Sequence, residues 1–177
     1  MPSVETKYFG TLSCAEDSIF DFPQGVPAFE DEKSFVLIEA PQGNSPLGNA
    51  PQEDAPETAP LVFLQSLTRA GLCFMAFPIL VVDRDYQLAI APEDLEDLGL
   101  DAQRQPTPGE EVLVLALVSL HDGFLATANL MAPIVLNAKT QRGLQAIRRD
   151  SRYSPKHPVA LAQPAGPEAA PPPEKVC

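Results

Sequence analysis

Carboxylates are the side chains of this chain with the most chemical potential. They fall in close groups: Glu30-Asp31-Glu32, Asp83 and Asp85 around Arg84, Glu93-Asp94 with Glu96-Asp97, and Glu110-Glu111. Such groups can hold a hard cation through oxygen or divide general acid and base roles. The acids around Arg84 lack the remaining acids and the glycine of a calcium loop, so each group reads as a solvated turn or helix face. With only His121 and His157, a histidine-based zinc site is implausible. His121 stands before Asp122-Gly123 between two apolar runs, which reads as a hairpin turn rather than a catalytic base. Cys14, Cys73 and Cys177 are far apart and form no C-x-x-C, the pattern of ordinary reduced thiols. Neither a glycine-rich phosphate loop nor a G-x-S-x-G serine is present. The expectation is a protein without catalysis, metal or cofactor.

Charge is the feature left standing. The 177 residues include 24 acidic and 12 basic ones, a net charge of −12. Residues 1–138 hold five basic residues against 21 acidic, a balance of −16, and residues 139–177 hold seven against three, a balance of +4. A chain this acidic is a poor direct ligand for nucleic acid or for an anionic membrane. Residues 83–101 carry seven acids against Arg84 alone. That surface either keeps the protein soluble or steers a basic partner. Asp83, Asp85, Glu93, Asp94, Glu96 and Asp97 are the partner-binding candidates.

The elements that must position these residues read mostly as strands. Residues 8–12, 18–22, 34–39, 61–67 and 72–77 are rich in β-branched, aromatic and leucine side chains and are separated by turn residues. Thr68-Arg69-Ala70-Gly71 has the length of a hairpin turn, and residues 79–82 continue a strand past Pro78. From Pro92 the pattern changes. Proline at the first helical position, acids in the first turn and Gly99 at the end predict a short helix, with Glu93, Glu96 and Asp97 outward and Leu95 and Leu98 toward the core. Residues 111–120, 124–130 and 133–137 read as further strands. Residues 142–149 fit a helix or a strand equally well.

Two stretches predict disorder. Residues 41–60 carry five prolines with Leu47 as their only large apolar side chain, and the tail 162–177 carries five more prolines. The expected architecture is all-β: a small antiparallel β-barrel-like single domain over residues 1–161 with one or two short helices, and a disordered tail at 162–177. No apolar run is long enough for a membrane helix, and residues 1–10 lack a basic start and apolar core, so the expected location is the cytoplasm. A barrel that holds a small molecule in its lumen is the alternative.

Three segments add a resemblance. Phe22-Pro-Gln-Gly25-Val-Pro27-Ala-Phe29-Glu30 is similar to the F-x-x-G-x-P-G-F-E segment of the FliW family of bacterial flagellar assembly factors. Leu64-Gln65-Ser66 resembles its L-Q-S strand. Thr127-Ala128-Asn129-Leu130-Met131-Ala132-Pro133-Ile134-Val135-Leu136-Asn137 resembles its T-x-N-L-x-A-P-I-x-x-N segment, with Gln145 and Tyr153 at suitable positions beyond. Ala28 departs from the family's glycine, and residues 41–60 have no counterpart. The resemblance implies a β-barrel-like fold, a strand at 142–149, and a protein that binds the translational repressor CsrA and flagellin. It further implies relief of CsrA repression of flagellin messenger RNA. Among the motif residues, Phe22, Phe29, Leu64, Leu130 and Ile134 are expected in the core. Gly25, Pro27 and Pro133 are expected to shape turns or strand starts, and Asn129 and Asn137 to bond backbone at turns.

Overall fold

The computed structural model describes residues 2–39, 61–120, 126–150 and 152–159. The expected disorder at 41–60 and 162–177 and the His121 turn lie outside the described residues. Ten strands follow in chain order: β1 (Ser3–Thr6), β2 (Gly10–Ser13), β3 (Ile19–Asp21), β4 (Ser34–Glu39), β5 (Val62–Ser66), β6 (Cys73–Pro78), β7 (Leu113–Leu120), β8 (Ala126–Asn137), β9 (Arg142–Gln145) and β10 (His157–Val159). Two short helices, α1 (Ile79–Val82) and α2 (Pro92–Asp97), fall between β6 and β7.

Seven strands close on themselves in the order β8-β7-β6-β5-β4-β3-β9 and back to β8. All neighbours are antiparallel except β3 and β9, which run parallel and align at a single pair, Asp21 with Arg142. β10 adds to the free part of β8's edge through the pairs His157/Ala128 to Val159/Ala126. Closure leaves few open edges for a foreign strand, which suits so apolar a sheet.

Alternation along the strands sorts the core into an inside and two covered outsides. Phe20, Phe22, Phe35, Leu64, Leu115, Ile134 and Leu136 fill one cluster and are buried. Their in-between neighbours Val114, Ala116, Ala128, Leu130 and Val135 join a second cluster with Ile79, Ile90, Leu95 and Leu98 from the helical segment. On the far side, Val36 packs with Val4 and Cys14 of the β1–β2 region. Phe9 of that hairpin meets Phe63 edge to face at 4.9 Å.

Several expectations need correction. Residues 8–12 are not one strand: Lys7, Tyr8 and Phe9 form the turn of the β1–β2 hairpin, and only Gly10 onward is extended. Residues 79–82 form a helical turn. The β6–β7 ladder ends at Pro78, which has no N–H to extend it, and Asp83 N closes the turn on Ile79 O at 2.9 Å. Residues 124–130 and 133–137 are not two strands, because β8 runs unbroken from Ala126 to Asn137. Its register against β7 jumps between Leu115/Ile134 and Leu117/Asn129, so residues 130–133 form a wide bulge opposite Ala116. Residues 142–149 begin as β9, as the resemblance implied, and β1 and β10 were too short to show an alternation.

Candidate functional site

The three motif segments build the barrel's corners. In the first, Phe22 is fully buried against Phe35 at 5.0 Å. Gly25 has φ +68°, and a Cβ there would lie 2.6 Å from Glu30 Cα and Glu30 O, so backbone contact as well as conformation requires glycine. Ala28 sits at φ +72°, in the left-handed region. This is the position where the family pattern has glycine, so the turn is kept and the alanine bears the strain. Backbone N–H groups, that of Glu30 itself first and then that of Ala28 at 3.1 Å from Oε1, hold the Glu30 carboxyl below the usual glutamate range. Phe29 corrects an expectation: it is half-buried at the rim rather than in the core. It lies edge-on to Phe74 at 5.7 Å and under the Arg69 guanidinium at 5.9 Å. Pro27 is exposed.

In the second segment Leu64 points into the barrel, and Gln65 is fully buried. Its Nε2 faces the carbonyls of Ser66, Arg69, Ala70 and Leu72 at 3.0–3.2 Å, which fixes the β5–β6 turn. Ser66 Oγ and Thr68 Oγ1 both donate to Glu32 Oε2, and Arg69 Nε stands 3.2 Å from Oε1. These donors keep the buried Glu32 ionised and lower its pKa, with the Ser66 bond the largest cause.

In the third segment Asn129 Oδ1 accepts from Met131 N and Ala132 N, both at 3.0 Å, and so supports the bulge from within. Pro133 continues the strand where no N–H is needed. Leu130 and Ile134 are buried as expected. Gln145 Nε2 donates to Ala132 O at 2.9 Å. Asn137 reaches further than a turn: its Nδ2 donates to Leu98 O at 2.9 Å, as does Thr140 Oγ1. Both satisfy a carbonyl that the end of α2 leaves free.

That end of α2 is itself well built. Gly99 is left-handed at φ +74°, Gly99 N bonds Glu96 O, and Leu100 N bonds Leu95 O at 2.8 Å, the paired bonds of a Schellman cap. Leu95 and Leu98 are fully buried, as the periodicity predicted. The structure divides the four acids of the helix. Glu93 and Glu96 are exposed, whereas Asp94 and Asp97 are half-buried and both accept from Gln24 Nε2 of the first motif segment. Burial pushes the Asp94 carboxyl above the usual aspartate range. Asp83 is half-buried and caps its own turn, accepting from Asp85 N at 3.0 Å, and Asp85 is exposed. The exposed acids of this segment are thus Asp85, Glu93 and Glu96, the last two on a helix fixed at its C-terminal end.

Sequence reasoning passed over one constellation. Arg148 is buried, bonds Asp150 through two nitrogens at 2.9 and 2.7 Å, and donates to Gln87 O. Its guanidinium lies 4.9 Å from the ring of Tyr153, which stacks on Tyr86 at 4.4 Å. Tyr86 Oη donates to Leu130 O at 2.8 Å, and Tyr153 Oη accepts from Gln87 N at 2.9 Å. The Arg148-Arg149-Asp150 run beside a tyrosine was its only trace in the sequence. The group ties the residues before β10 to the bulge of β8.

Burial raises the Cys73 thiol to about 11, so it is protonated at neutral pH, and Cys14 is buried. Among the described residues no three His, Cys, Asp or Glu side chains come together as a metal set. The barrel interior is occupied by its own phenylalanine, leucine and isoleucine side chains, a filling that disfavours the small-molecule lumen considered above. An open groove of about 370 Å³ lies instead beside the β3–β9 seam, lined by Glu16, Ile19, Asp21, Ser34, Thr140, Gln141 and Arg142.

A closed barrel filled by its own side chains, with three motif segments holding its turns and bulge, places the chain among the small β-barrel proteins. The model of the FliW protein family matches residues 3–159, and the chain belongs to that family. It is 35% identical over 152 residues to the flagellar assembly factor FliW of Syntrophomonas wolfei, covering 85% of this chain and 83% of that one. It is 31% identical to the flagellar assembly factor FliW of Bacillus subtilis, covering 88% and 95%. A crystal structure of a flagellar assembly factor FliW superposes with a TM-score of 0.67 at 29% identity, covering 89% of this chain and 96% of that one.

Proposed function

We propose that this protein is a non-enzymatic, cytoplasmic regulator of flagellar assembly. It binds a CsrA-type translational repressor, relieves repression of flagellin messenger RNA, and binds flagellin as the competing partner. The observation that carries this reading is the acidic surface over the α1–α2 segment on a member of the FliW family. A protein that antagonises an RNA-binding repressor has to meet, or lie beside, a surface made for phosphates. Exposed Glu93, Glu96 and Asp85 suit that task, and the negative body repels RNA from the docked complex. Asp94 and Asp97 act mainly by keeping the helix in place through Gln24.

Calorimetric titration of the purified protein with the repressor and, separately, with flagellin tests this. Saturable binding to both, with mutual exclusion when all three are mixed, is the expected result. No binding to either at tens of micromolar removes the reading.

A further inference from the structure

Half of the chain's basic residues lie between positions 139 and 159: Lys139, Arg142, Arg148, Arg149, Arg152 and Lys156, against Asp150 as the single acid. The fold lays this segment along one edge. β9 pairs with Ile134–Asn137 of β8. Ala146 N then bonds Pro133 O and Arg148 N bonds Met131 O. Leu130 N bonds Ser154 O, and β10 finishes at Ala126. The segment thus follows the whole of β8, 12 residues or roughly 40 Å at the usual rise per residue. Asp150 is engaged by Arg148, which is itself buried. Of the segment's exposed cations, Asp150 acts on Arg152 alone. Arg142, Arg149, Arg152 and Lys156 are exposed, and Ile147 among them is 58% exposed. Arg142 donates to Asp97 O and Arg152 to Gln87 Oε1. Among the described residues Arg149 and Lys156 make no side-chain hydrogen bond or salt bridge, although Arg149 is near enough to Asp94 to act on its charge.

We propose that this basic edge, centred on Ile147, Arg149, Arg152 and Lys156, is a docking surface for an acidic peptide segment of a partner protein that carries an apolar side chain. Charge complementarity sets the sign of the partner, and the exposed isoleucine sets its apolar element. Length separates a peptide from a nucleic acid. Screening limits the field to about 8 Å at physiological salt, so a short acidic segment meets the local cations, while a long polyphosphate also crosses the −16 body. The clamp of Arg148, Tyr86 and Tyr153 presents the edge in one fixed conformation, which lowers the ordering cost of binding.

Fluorescence anisotropy with the full-length protein tests this with two labelled probes: a short peptide rich in glutamate with two leucines, and a single-stranded RNA of matched charge. The peptide is expected to bind, more weakly as salt rises. The variant R149E/R152E/K156E is expected to lose at least tenfold in affinity, and Ile147→Ser several-fold with the salt dependence unchanged. Because Arg152 also bonds Gln87, the milder R149S/K156S, which breaks no side-chain hydrogen bond or salt bridge among the described residues, provides a folded control and should still lose several-fold. Failure of the wild-type protein to bind the peptide overturns the proposal. So does peptide binding indifferent to these variants, or RNA bound as tightly as the peptide.

Discussion

Ala28 shows how much a single side chain can hold in reserve. An L-residue in the left-handed region costs about 1–2 kcal/mol, and glycine at the same place gives back about 0.4–1 kcal/mol through the greater freedom of the unfolded chain. Ala28→Gly should therefore stabilise the protein by about 0.5–1 kcal/mol, read as a higher urea midpoint with an unchanged slope. An unchanged midpoint would mean that the turn differs from the one described. Glu111 gives a pH dependence with a definite sign. Two bonds from Arg104, at 3.0 and 2.5 Å, and one from Thr107 N hold its pKa at about 2, below an ordinary value of 4.5. The folded value is the depressed one. Its stabilisation is therefore present in full above pH 4.5 and disappears as pH falls through about 2. Glu111→Gln should melt below the wild type at pH 7 and converge with it near pH 2. A gap that persists at acid pH would assign the effect to packing instead.

At the scale of elements, α2 is the part whose charge and packing separate cleanly. Its apolar side, its Schellman cap and the bonds from Asn137 and Thr140 to Leu98 O hold it without help from Glu93 or Glu96. Reversing those two to lysine should leave the melting temperature within a few degrees. If the proposed repressor docks here, the change should slow its association several-fold and flatten the salt dependence of the on-rate. An unchanged on-rate would move that interface off α2. The β4–β5 connection offers a second test. Glu39 pairs with Val62, so the strand ends already stand at hairpin distance. Replacing residues 40–61 with a short glycine-containing turn should preserve cooperative unfolding at a similar midpoint, because closing a loop costs little and less when it is short. A broadened transition would show that the replaced residues contribute to the fold.

For the whole molecule, the class of fold was legible because strands with apolar and turn residues in regular alternation outnumber every other pattern. The helix at Pro92 was legible from its proline, its acids and Gly99. What escaped was set by partners distant in sequence. Isoleucine and valines at 79–82 favour a strand locally, and only the end of the β7 ladder at Pro78 turns them into a helix. Pro133 looked like a break between strands because its role in a bulge depends on Asn129 and on the residues of β9. Phe29 has a core composition and a rim position because Arg69 and Phe74 meet it from another hairpin. The acidic face was visible as a count, but that Gln24 would brace Asp94 and Asp97 was not, since the residues lie 70 and 73 positions apart.

The seam between β3 and β9 has a kinetic consequence. Among the described residues it is the barrel's one parallel contact, aligned at the single pair Asp21/Arg142, with Asp21 N bonding Gln141 O and the Gln141 side chain reaching Glu16 O and Ile19 O. Those partners are 125 and 122 residues apart, whereas most other ladders join neighbours in sequence. Contacts that close so long a loop form late, after the hairpins have removed most of the chain's freedom. Gln141→Ala should accordingly speed unfolding while leaving the refolding rate nearly untouched, as stopped-flow chevrons would show. Equal effects on both limbs would place the seam in the folding nucleus. On this view the barrel is a string of hairpins that folds first as an open sheet, and its lifetime as a closed one is governed by a glutamine.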